Sequence, residues 1–289
     1  QSLRFERYGE MNMTMEKFLR LSSQQKAAAE NLAELCRQQE DLTISLFPDM
    51  DQEEQLFYLL SDDSGQLISF LSLTFCGEEC LVHAFTHPSH RRKGFFDRLF
   101  DQAYEENIGP AFLFTVDDNA KDALAVLHAL ECVRLETEYL LQYRIRGTEI
   151  MPSSPSLLPT EDTATLCRLH QACFPEYPED FSETFVEDLA DCQKESGAEA
   201  FLIEKNGESV GLGFCIYQED IAYLTGFGVL PQYRRQHIAF DTLSALARRL
   251  ADTYQFLCVQ VSDQNDAACT LYRSFGFLPI ESVHTYLFE

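Results

Sequence analysis

Basic residues are scarce in this chain of 289: 22 Lys and Arg stand against 47 Asp and Glu, for a formal net charge of −25. Such a surface repels nucleic acid and anionic membrane, so neither is an expected partner. The same field favours a cationic substrate such as an amine, although solubility alone would also account for it. The 10 cysteines include no C-x-x-C pair. Cys76 and Cys80 lie four apart without a second Cys or His pair to complete a metal set, and no metal is expected. A chain of this size has core enough without disulfides, so scattered thiols fit a reducing cytoplasm. Apolar runs of the roughly 20 residues that span a bilayer are lacking, as is a secretory h-region. The chain begins at Gln1, and residues before Met11 or Met13 read as an addition or a trimmed terminus.

What is present is a repeat. His87-Pro88-Ser89-His90-Arg91-Arg92-Lys93-Gly94 and Leu230-Pro231-Gln232-Tyr233-Arg234-Arg235-Gln236-His237 share one pattern, with an offset of 143 residues at both the proline and the first arginine. Each copy follows an apolar strand-like run and opens a helix-like run. Free amides at a helix start, the positive end of its dipole and nearby arginines make a place to hold a phosphate. A plain surface helix after a Pro turn would carry the same residues, so the repeat alone does not decide the chemistry.

The rest of the chain repeats in the same order. Residues 13–40 are expected as a helix, 55–60 and 67–75 as a hairpin, and 81–86 as a strand. A helix is expected from Phe95 to Tyr104, a strand over 111–116, a helix over 120–130 and strand material over 133–145. In the second half, helices are expected over 163–173 and 181–194. A hairpin over 200–205 and 209–217 turns at Asn206-Gly207, a strong hairpin signal. Then come a strand over 221–229, an amphipathic helix from Ile238 to Leu250, a strand over 256–261, a helix over 265–275 and strand material over 277–288. Proline and serine dominate 151–159. The expected organisation is α/β: domain 1–147, linker 148–159, domain 160–289, each with a mixed sheet flanked by helices.

The stretch Leu224–Ala239 resembles the acyl-CoA-binding motif of the GNAT superfamily of N-acyltransferases, a strand followed by V-x-P-x-Y-R and a (Q/R)-x-x-G-x-(G/A) turn. Arg234, His237 and Ala239 fall on the arginine, first-glycine and last-small positions. His237 departs from the glycine, which a side chain tolerates only if the backbone there is unstrained. One strand later, Asn265–Phe277 matches the second motif, N-x-x-A-x-x-L-Y-x-x-x-G-F, at every defined position. The first half is similar but worn: Gly94 is kept, Phe96 is bulky, and over Asp122–Val133 His128 falls at the place of Tyr272 and Cys132 at that of the glycine.

The resemblance implies two GNAT-like domains in tandem, each a mixed, mostly antiparallel sheet flanked by helices, with the working acyl-CoA site in the second. It implies an N-acetyltransferase that moves an acetyl group from acetyl-CoA to a small-molecule or peptide amine by direct attack. Phe227, Val229, Arg234, Arg235, Gln236, His237, Ile238, Ala239 and Asn265 would bind the CoA, and Tyr272 would stand near its sulfur. A tyrosine of pKa about 10 cannot fully protonate a thiolate of pKa about 8.5 without an uphill step of about 2 kcal/mol, so hydrogen bonding to the leaving sulfur is the expected role. Tyr223 sits where many relatives carry a glutamate base; Asp220, Glu176 and His284 are the alternatives. A non-catalytic CoA-binding or scaffold protein is the rival reading, and a working site at Arg91 and Gly94 a further one.

Overall fold

The computed structural model describes residues 2–4, 13–42, 48, 50, 54–149 and 155–288. It divides into two compact units: residues 1–137 with 281–289, and residues 138–280. The expected domains, 1–147 and 160–289, are contiguous in sequence, whereas each packing unit is completed by a strand from the other half. Val133–Arg144 pairs its Glu138–Arg144 stretch antiparallel with Ser262–Phe256, in the second unit. Conversely, Val283–Phe288 pairs antiparallel with Asp117–Phe112, in the first. Residues 150–154 of the expected linker lie outside the described residues, and Ser156–Thr160 form a strand.

The first unit begins with β1 (Ser2–Arg4) and β2 (Met13–Phe18), paired antiparallel. It continues with α1 (Ser23–Glu40), β3 (Gln55–Asp62), β4 (Leu67–Cys76), β5 (Glu79–Thr86), α2 (Phe95–Glu106), β6 (Ala111–Asp117), α3 (Lys121–Ala129) and the start of β7 (Val133–Arg144). The expected helix over 13–40 is corrected here. Met13 and Met15 alternate inward on β2, and the helix starts only where Ser22 and Gln25 form a capping box. Strands β2 to β5 are antiparallel neighbours, and β5 pairs in parallel with β6. Phe70, Leu71 and Leu73 of β4 are fully buried, with helices covering both faces of the sheet.

The second unit holds β8 (Ser156–Thr160), α4 (Thr163–Cys173), α5 (Glu179–Ser196), β9 (Glu199–Lys205), β10 (Glu208–Gln218), β11 (Ile221–Val229), α6 (Ile238–Leu250), β12 (Phe256–Ser262), α7 (Asp266–Phe275) and the start of β13 (Leu278–Phe288). Neighbouring strands from β8 to β11 are antiparallel, while β11 and β12 are parallel. One face packs on α6 through Leu243, Leu246, Ala247 and Leu250. The other packs on α4 and α5 through Leu166, Leu169, Val186 and Leu189. The sequence spacing of apolar residues produces both faces. The expected elements of this half all appear, with ends shifted by at most two residues.

Candidate functional site

Strands β11 and β12 pair from Ile221–Phe256 to Leu224–Val259, after which they part. The cause lies on β11. On its other edge, Leu212 faces Gly228 but Phe214 faces Thr225, so one residue of β10 opposes two of β11. This bulge bends β11 away from β12. Gly226 takes φ +53°, and a Cβ there would stand 2.8 Å from the Phe185 ring; one on Gly228 would stand 2.7 Å from the Cys173 Cβ. The two glycines let α4 and α5 close down on the bent strand.

The basic turn follows. Pro231–Tyr233 form one 3₁₀ turn, Arg234 is extended, Arg235 takes φ +62° and His237 φ +61° before α6 begins. Arg92 (φ +60°) and Gly94 (φ +72°) in the first unit take the same conformations at the same offset. The condition for a side chain at His237, an unstrained backbone, is not met: it occupies the left-handed position that a glycine takes in the other copy. Among the described residues, the amides of Arg235 to Phe240 have no hydrogen-bond acceptor, and the first helical bond is Asp241 N to His237 O, 2.9 Å. His237 supplies no side-chain cap. A helix start with these open donors is an anion niche.

Eight of the nine expected CoA contacts lie on β11, the turn and the start of α6, and Asn265 lies at the start of α7. Phe227, Val229, Ile238, Ala239 and Tyr272 share one apolar cluster. Arg235 and His237 are exposed. Gln236 accepts from Lys205 Nζ at 3.2 Å and donates to Gln232 O at 3.2 Å, which brings a further cation to the turn. Arg234 is also exposed, but its guanidinium is engaged by backbone: its Nε donates to Val229 O (3.0 Å) and its Nη2 to Cys173 O (2.6 Å). Asn265 caps α7, accepting from Ala268 N at 3.1 Å. Tyr272 is buried, 5.3 Å from the Phe277 ring, and burial pushes its hydroxyl above the ordinary tyrosine range.

The base alternatives scatter. His284 belongs to the first unit, where its ring lies 2.9 Å from Thr137 Oγ1 and 3.0 Å from Asp118 Oδ1. Asp220 precedes β11, at the end remote from the turn, where its carbonyl accepts from Gln255 N and Phe256 N. Glu176 is exposed after α4, and Tyr223 is half-buried on β11. Sequence reasoning passed over His170, which is buried, 2.9 Å from Ser182 Oγ, and flanked by the rings of Phe174 and Phe185 at 4.7 Å each. Its spacing of four from Phe174 was the available signal. Burial lowers its pKa.

The parted parallel strands, the open helix start and the two sequence motifs all fall within one segment. Residues 164–277 match the model of the acetyltransferase (GNAT) family. They form a GNAT acetyltransferase domain. Solved structures share the fold of nearly the whole chain. A GCN5-related N-acetyltransferase from Sphaerobacter thermophilus has a TM-score of 0.70 at 13% identity, covering 94% of this chain and 95% of its own. A GNAT-family acetyltransferase from Colwellia psychrerythraea gives 0.66 at 16%, covering 95% and 99%. A tandem GNAT protein from the clavulanic acid biosynthesis pathway gives 0.65 at 13%, covering 94% and 98%. No curated protein matches the chain in sequence.

The first unit repeats the turn, helix and cap geometry in a different register from the expected one. Cys132 N donates to Leu127 O at 3.0 Å, as Phe277 N donates to Tyr272 O at 3.0 Å. Glu131 (φ +57°) closes α3 as Gly276 (φ +110°) closes α7. Leu127, not His128, therefore stands in the place of Tyr272, and Glu131, not Cys132, in the place of the glycine. His128 is exposed.

Proposed function

We propose that the second unit is an acetyl-CoA-dependent N-acetyltransferase acting on a primary amine, small-molecule or peptide, in the cytoplasm. The observation that carries this reading is the run of unpartnered amides at the start of α6, beside the parted strands β11 and β12. Those amides, with Arg235 and Lys205 at the turn, suit a diphosphate. The amine nitrogen attacks the thioester carbonyl, the carbon–sulfur bond breaks, the thiolate leaves, and the nitrogen gives up its proton to water. Tyr272 hydrogen-bonds the developing thiolate and keeps its own proton, in line with its raised pKa.

The acceptor side falls to the loop after α4 and the first turns of α5. Tyr177 and Phe181 stack at 4.6 Å and are exposed, among Glu176, Glu179, Asp180 and Glu183. Aromatic faces ringed by carboxylates attract an ammonium group. The free state of all nine described cysteines agrees with a reducing compartment. Among the described residues, no helix is long and apolar enough to cross a membrane.

Calorimetric titration with acetyl-CoA, followed by thiol release over a panel of amines, tests the reading. Binding weakened by Arg235→Ala and turnover with an amine support it. Lack of acetyl-CoA binding overturns it, and binding without thiol release would make the unit a non-catalytic CoA binder.

A further inference from the structure

A cavity of about 930 Å³ lies within the first unit, where β5 and β6 part beyond Val82–Phe114, between α1, the start of α2 and α3. That volume is in the range of small-molecule pockets. Val82, Ala84, Phe114, Val116 and Leu127 give it an apolar wall. The backbone is that of a phosphate-holding turn, but its arginines are paired and carboxylates outnumber them along the lining. Arg91 Nη2 donates to Glu40 Oε2 (2.8 Å) and Nη1 to Asp122 Oδ2 (3.2 Å), while Arg92 Nη2 donates to Asp122 Oδ1 (2.9 Å). Arg37, the third guanidinium lining the cavity, is paired with Glu34 at 2.7 Å.

Three more carboxylates line the space, Glu30, Asp97 and the buried Asp117, and among the described residues neither Glu30 nor Asp97 pairs with a base. Asp97 sits in the first turn of α2, where α6 carries Phe240 at the same offset. It brings a negative charge to the helix start that a phosphate would otherwise fill. His83 adds no opposing charge: burial pushes its ring down to about 4, and its Nδ1 has no partner among the described residues. Leu127 replaces the hydroxyl that Tyr272 brings to the second unit, so the cavity has no counterpart of the group proposed to meet a leaving thiolate.

We propose that this cavity binds a small apolar molecule carrying one positive charge, an arylalkyl- or alkylammonium ion, at a site separate from the transfer reaction. The apolar wall takes the hydrocarbon and the carboxylate-rich rim takes the ammonium. A diphosphate is repelled by the same rim.

Titration of the full chain with 4-phenylbutylammonium, 4-phenylbutanoate and coenzyme A tests this. The ammonium is expected to bind once per chain, about tenfold or more tighter than the carboxylate. Ala84→Trp or Val126→Trp, each checked for an unchanged circular dichroism spectrum, should abolish that binding and leave coenzyme A binding intact. Glu40→Gln combined with Asp122→Asn should free the guanidiniums and turn the preference towards the carboxylate. Ammonium binding that survives both tryptophan variants would place it elsewhere and overturn the proposal. So would a preference for the carboxylate, coenzyme A binding lost in Ala84→Trp, or no ammonium binding at all. The result is independent of the acetyl-CoA titration and its Arg235→Ala control, which read the second unit.

Discussion

Arg234 reaches across 61 positions of chain to donate from Nη2 to the carbonyl of Cys173 at 2.6 Å. That carbonyl belongs to the last residue of α4, where a cation meets the negative end of the helix dipole. With Nε on Val229 O, the side chain ties the exit of β11 to α4. Arg234 therefore positions the turn, and the charge offered to a ligand comes from its neighbour Arg235.

The two arginines should separate on substitution. Arg234→Ala removes two charge-assisted bonds and should cost about 2–3 kcal/mol of stability, with acetyl-CoA binding weakened as the turn loosens. Arg235→Ala should leave stability within about 0.5 kcal/mol and weaken acetyl-CoA alone. Thermal melts beside calorimetry read both. Equal losses of stability in the two variants would contradict the assignment.

His237 holds a left-handed conformation with no side-chain cap. His237→Gly should relieve that backbone and stabilise the protein by about 1 kcal/mol, visible as a raised melting temperature. Affinity for acetyl-CoA should be unchanged or higher, because the amides stay where they are. A lower melting temperature would mean that the imidazole makes a stabilising contact outweighing the strain.

Much of this site was legible in the sequence because its parts are local. Apolar spacing marked α6 and α7, Asn206-Gly207 marked the hairpin, and the two motifs fixed their order. What was hidden depends on partners distant in the chain. Nothing near Arg234 says that Cys173 will claim its guanidinium, or near Gly226 that Phe185 will close over it. The strand ending the first half reads as a strand, yet its residues give no sign that Phe256–Ser262 will be its partner. The slip of one residue between His128 and Leu127 arose because α3 is a turn of apolar residues, Ala123 to Leu127, without a tyrosine to fix the alignment. The start of β2 was lost because Met13–Phe18 runs into a helical pattern without a Gly or Pro to break it.

Tyr272 should stay protonated throughout the working range, since burial raises its pKa. Tyr272→Phe should lower turnover about 10- to 100-fold, as expected for loss of one hydrogen bond to developing charge, with acetyl-CoA affinity little changed. The pH–rate profile of the parent should show no limb from this hydroxyl below about pH 10. On stability the sign is the same: a raised folded pKa means the protein loses stability as pH climbs past 10 and the unfolded chain ionises first. Alkaline melts of parent and variant check this, the variant losing less.

Two buried imidazoles contribute to the acid side. Burial lowers the pKa of His83 to about 4 and that of His170 in the same direction. Below the unfolded value of about 6.5 the unfolded chain binds protons that these folded rings refuse, so stability rises with pH there and falls as the medium is acidified. For His83 the full loss, reached near pH 4, is on the order of 3 kcal/mol. His83→Leu removes the titrating ring and should flatten the stability curve between pH 6.5 and 4, whatever it does to stability at pH 8. His170→Leu should flatten a separate part of the slope, though its loss also strands Ser182 Oγ, now 2.9 Å from the ring. Urea denaturation at stepped pH reads each slope directly. If neither substitution changes it, the acid sensitivity resides in the carboxylates, and the two rings are reached by solvent before the units unfold.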